Sequence, residues 1–119
     1  MGNLTPRTPL EFLVQENNRL VSNLISVSGG GSASSSVTSS VASSATSVQL
    51  LADNANRVEA VITNDSTAIL YIKLGTGATT SDYTISLSPN ESLIVDKYNG
   101  ILHGVWDSVN GNARITETS

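Results

Sequence analysis

The chain has 119 residues, with six basic and ten acidic side chains, one histidine and no cysteine. A length of this order fits one domain, the lack of thiols excludes disulfides and thiolate metal sites, and a net charge of −4 with scattered basic residues argues against nucleic acid as a direct partner. Charged residues make up only 13% of the chain, against about a quarter in ordinary soluble domains, so Ser, Thr, Asn and Gly supply the polar surface, as suits a subunit that works inside an assembly.

No basic stretch leads into an apolar run near Met1, so no secretory signal is expected. The apolar runs are too short to span a bilayer, and no membrane association is expected.

Residues 1–28 read as an N-terminal docking arm with one helix over about residues 9–27. Thr8-Pro9-Leu10-Glu11 has the residues of a capping box: Thr8 caps, Pro9 suits the first helical position and Glu11 reaches back to the cap amide. Leu10, Leu13, Asn17, Leu20, Leu24 and Val27 then recur at alternating spacings of three and four and form one stripe. The stripe has two possible destinations, the chain's own β-domain or another subunit. In the second, a short helical bundle could take its register from Asn17.

Residues 29–46, GGGSASSSVTSSVASSAT, read as a Gly/Ser tether that stops the helix and decouples it from the rest of the chain. Random-coil scaling gives such a tether a span of roughly 20–25 Å. This favours docking on a neighbour, and the stripe residues are the expected interface.

Residues 47–119 carry a β signal throughout and are the expected folded domain. Runs rich in Val, Ile, Leu, Thr and Tyr fall at Ser47–Leu51, Arg57–Asn64, Ile69–Leu74, Tyr83–Leu87, Ser92–Asp96, Ile101–Ser108 and Ala113–Glu117, with turn residues between them. Leu70, Ile72 and Leu74 alternate with Ile69, Tyr71 and Lys73, and Tyr83, Ile85 and Leu87 share a face. The expected fold is all-β, a small antiparallel sandwich or barrel of about seven strands. Asn99-Gly100 and Asn110-Gly111 are strong hairpin signals, so the last three strands are expected to form consecutive hairpins.

No catalytic constellation stands out. His103 lacks the partners of a transition-metal site or a Ser/His/Asp arrangement and reads as a strand residue with a structural hydrogen bond. Asp53, Asp65, Asp82, Asp96 and Asp107 read as turn residues, with a loop calcium site as the minor alternative. Gly75-Thr76-Gly77 lacks the lysine and following helix of a phosphate loop and reads as a hairpin turn. Trp106 is expected in the core or an intersubunit seam. The chain is therefore expected to be non-enzymatic and to use no cofactor or metal.

The string Asn54-Ala55-Asn56-Arg57, followed by Asn64-Asp65-Ser66 and Leu70-Tyr71-Ile72-Lys73-Leu74-Gly75, resembles small virion proteins of tailed bacteriophages, including cyanophages. Asp82-Tyr83-Thr84-Ile85 and the closing Gly100-Ile101-Leu102-His103-Gly104-Val105-Trp106 extend the resemblance, which covers residues 48–117. It implies a structural protein of the cement or decoration type on the capsid exterior. The implied partners are the major coat protein or other virion subunits, and the implied assembly is a homotrimer. A neck, tail or head-fibre component anchored by its helix is the first alternative. A receptor- or carbohydrate-binding module, using Tyr71, Tyr83, Tyr98 or Trp106, is the second.

Overall fold

A computed structural model describes residues 32–119. The expected arm and its stripe residues Leu10, Leu13, Asn17, Leu20, Leu24 and Val27 lie outside the described residues. Among the described residues there are eight strands: β1 Ser36–Ala42, β2 Val48–Leu51, β3 Glu59–Asp65, β4 Leu70–Leu74, β5 Ile85–Leu87, β6 Ser92–Val95, β7 Leu102–Trp106 and β8 Asn112–Thr118. They form two four-stranded antiparallel sheets in the orders β1-β8-β3-β6 and β2-β7-β4-β5. Only the β4–β5 connection stays within a sheet; every other connection crosses to the opposite one. This is jelly-roll connectivity, two interlocked Greek keys closed into a sandwich.

The all-β expectation and the strand runs within residues 47–119 therefore hold, and the architecture is a sandwich. The alternation that marks each run decides which side chains enter the core. Ala60, Ile62 and Asn64 of β3 point inward between half-buried neighbours, and Ala113 and Ile115 of β8 point inward on either side of exposed Arg114. Leu70 and Ile72 of β4 meet them from the other sheet, with Leu102 and Trp106 of β7 completing the fully buried set. Gly104 sits at the tightest inward point of β7, where a Cβ would lie 2.9 Å from a Leu50 methyl and 3.0 Å from one of Leu70. Removing these apolar side chains from water is the main term holding so small a domain together.

Two expectations are corrected. The first is the tether, because β1 lies inside residues 29–46. Its register pairs Ser36 with Thr118 through to Ala42 with Asn112, and the Ser34 and Ser35 amides extend the seam to the Ser119 carbonyl at 2.9 and 3.0 Å. A ladder satisfies backbone groups whatever the side chains, so a Ser/Thr run with almost no apolar surface can still be a strand when a partner edge is available. Only Val41 of β1 packs against the core.

The second correction concerns the last three strands. β6 and β8 lie in one sheet and β7 in the other, so neither connection is a hairpin. A type I′ turn needs positive φ at both central residues. Gly111 has φ 67°, but Asn110, Asn99 and Gly100 do not share that conformation. The asparagines tie crossings together instead. Asn110 Oδ1 accepts the Thr67 amide at 2.8 Å, and Asn99 Nδ2 donates to the Ala55 carbonyl at 3.1 Å.

Candidate interaction surface

Each end of the sandwich is held by one buried polar side chain. At one end, Asn64 is fully buried and donates to the carbonyls of Ala68 (2.7 Å) and Leu87 (2.9 Å), while its Oδ1 accepts the Ser66 hydroxyl at 2.6 Å. At the other, Arg57 donates to Glu117 (2.8 Å) and to the carbonyls of Ala52 (2.6 Å), Tyr98 (3.1 Å) and Gly100 (3.0 Å). Arg57 thus joins the β2–β3 crossing, the β6–β7 crossing and the C-terminal strand. A buried cation is tolerable here because its fork of donors is filled. The residues that carry the resemblance, Arg57, Asn64, Ser66, Gly104 and Trp106 among them, are framework residues.

His103 lies on β7 and hydrogen-bonds through Nδ1 to the Ser47 hydroxyl at 2.8 Å, while Ser47 Oγ accepts the Ala78 amide at 3.0 Å. The pair pins the long β4–β5 connection against the outside of its sheet, where Val105 is covered. No carboxylate hydrogen-bonds His103 among the described residues. Gly75 and Gly77, with φ 140° and 75°, open that connection as turn residues.

The aspartates take part in turns and surface pairs. Asp107 accepts the Ile69 amide at 3.0 Å, Asp65 meets Arg114 at 2.9 Å and Asp82 meets Lys73 at 2.7 Å. Among the described residues no group of three or more His, Asp or Glu side chains could hold a metal ion.

The four aromatics singled out in the sequence separate. Trp106 is in the core, with its indole N–H unpaired among the described residues. Tyr98 packs against the core and donates its hydroxyl to the Ile101 carbonyl at 2.8 Å. Only Tyr71 and Tyr83 come together, edge to face with centroids 4.8 Å apart. Tyr83 thereby leaves the face it was expected to share with Ile85 and Leu87 and joins the outer face of the sheet.

The exposed apolar surface is concentrated elsewhere. The two sheets leave an open side where their edge strands β5 and β6 run past each other, forming a groove of about 450 Å³. Leu74, Ile85, Leu93, Ile94, Val95 and Tyr98 supply its apolar lining, and Asp96 and Lys97 stand at its rim. Among the described residues, Leu74, Ile85 and Ile94 are three of the few large hydrophobic side chains left exposed, Ile94 by 61%. By contrast, the depression of about 480 Å³ on the β1-β8-β3 face is lined mainly by Thr and Ser hydroxyls with Arg114. A clustered apolar surface marks an interaction site more strongly than a hydroxyl-lined face.

The sequence did carry a signal for the groove. Leu93-Ile94-Val95 is apolar without alternation, so a strand that buries Leu93 and Val95 must present Ile94 to the outside. Among the described residues no helix is long and apolar enough to cross a membrane. No protein-family model, curated protein or solved structure matches the chain.

Proposed function

We propose that the protein is a non-enzymatic structural subunit of a phage particle, one that binds and reinforces a capsid lattice as a cement or decoration protein. The observation that carries this reading is the exposed apolar groove at the open side of the sandwich, in a domain whose buried polar side chains, Arg57 and Asn64, are engaged mainly with backbone carbonyls. The polar chemistry that a catalytic site would need is mostly taken up in bracing loops, while apolar surface is left available for contact. The jelly-roll connectivity agrees with it by analogy, since viral capsid domains use the same arrangement. The sequence resemblance to small virion proteins points the same way.

In this reading the N-terminal arm grips neighbouring coat subunits while the β-domain sits on the lattice. Joining two contacts through one chain raises avidity without strengthening either contact. The deciding measurement is the copy number in purified particles, by quantitative mass spectrometry against the major coat protein. A ratio near one per coat subunit, or a fixed large fraction of it, is expected. A dozen copies or fewer would place the protein in the neck, tail or a head fibre instead. Deleting residues 1–28 should abolish retention on capsids and leave the β-domain folded; undiminished saturation by the truncated protein would remove the arm from the account.

A further inference from the structure

We infer that β6 is a self-complementary edge through which two copies of this chain pair about a two-fold axis, continuing the β1-β8-β3-β6 sheet across the seam. This inference is independent of the virion reading.

Natural sheets blunt their edges with bulges, short strands or charge. In the second sheet, β2 has a register shift between Gln49 and Leu51, and β5 is only three residues long. In the first sheet, the edge strand β1 likewise has no charge, proline or bulge, but it is built mainly of Ser and Thr with small Val and Ala side chains. β6 is short, at four residues, but it is the apolar edge: Ser92-Leu93-Ile94-Val95 contains no charge, proline or bulge, and Ile94 is exposed.

The direction of the free amides follows from the ladder to β3. The Asn64 amide donates to the Glu91 carbonyl at 2.9 Å, and Ile62 lies opposite Leu93. By the strand's period of two, the Glu91 carbonyl and the backbone groups of Leu93 and Val95 turn toward β3, and those of Ser92, Ile94 and Asp96 turn outward.

An antiparallel second copy centred on Ile94 uses those outward groups. Ile94 then exchanges both hydrogen bonds with Ile94 of the other copy, and Ser92 does so with Asp96. The same register sets exposed Ile94 against itself and Leu93 against Val95. It also places Glu91 opposite Lys97, a pair of opposite charges on each side of the axis. Shifting the centre to Leu93 instead faces Ile94 with Ser92 and Glu91 with Val95, which loses both matches. An isologous contact requires this kind of self-complementarity.

The test is the mass of the full chain in solution, by sedimentation equilibrium and native mass spectrometry over a concentration series, for the wild type and variants of unchanged far-UV circular dichroism. The wild type is expected to be dimeric. Ile94→Lys should raise the dimer dissociation constant at least about 30-fold, because it places a charge at the centre of the seam. Lys97→Glu should raise it about 5-fold by opposing like charges, and adding Glu91→Lys to that variant should restore it to within about 2-fold. A wild type that stays monomeric, a trimer of the kind the resemblance implies, or a dimer indifferent to Ile94→Lys would overturn the inference. So would failure of the charge-swapped double variant to recover.

Discussion

Replacing Arg57 tests how the sandwich ends are held. Its side chain is 1% exposed and that of Glu117 20%. Arg57→Met removes the guanidinium, leaves the Glu117 carboxylate without its counter-charge and takes a donor from the carbonyls of Ala52, Tyr98 and Gly100. Breaking a buried pair from one side costs about 3–5 kcal/mol. The partial exposure of Glu117 lets water recover some of this, so the lower end, about 3 kcal/mol, is expected. Against a total stability of about 5–15 kcal/mol, that is a large share. Arg57→Met/Glu117→Leu, which removes both charges, should cost less than Arg57→Met alone, because the penalty lies in the orphaned carboxylate rather than in the lost pair. Trp106 is the only tryptophan and is buried, so its emission reports unfolding directly. Urea titrations at one fixed protein concentration should show the Arg57→Met midpoint lowered by about 2–3 M at unchanged slope, for a slope of about 1–1.5 kcal/mol/M. A shift below about 0.5 M, or a double variant no more stable than the single one, would refute the view that Arg57 is a buried clasp.

Two further outcomes are expected. Gly111→Ala adds a Cβ at φ 67° against the Asp65 carbonyl oxygen, whereas Gly77→Ala adds one at φ 75° with nothing within 4 Å. Strain alone costs about 1 kcal/mol, so thermal melts should show Gly77→Ala mildly destabilised and Gly111→Ala at least about twice as affected; equal losses would contradict the close approach. Truncation through residue 46 removes the β1 ladder and Val41, and exposes the long edge of β8. It should melt at least about 10 °C below a chain truncated through residue 31, on the usual scaling of a few degrees per kcal/mol for a domain of this size. Equal melting temperatures would return residues 32–46 to the role of a tether.

The strands of residues 47–119 were legible in the sequence because alternation is a local property. Leu70, Ile72 and Leu87 declare an inward face from their own neighbours, whatever lies across the sheet. The groove was half legible, since the unbroken Leu93-Ile94-Val95 run demands an exposed Ile94 but does not say what stands beside it. Sheet membership was not legible. Asn99-Gly100 and Asn110-Gly111 announce a change of direction, and only the competition among distant edges decides whether the chain returns beside its last strand or crosses to the other sheet. β1 was hidden for the same reason: its stability resides in backbone bonds to β8 at the far end of the chain, and its serines carry no sign of that partner. Arg57 makes the point at a single side chain. Its sequence neighbours mark a turn, whereas the acid that neutralises it lies 60 residues away. Local chemistry determined which segments became strands and which faces they buried, and long-range pairing in the folded domain decided which edge and which apolar groove were left open.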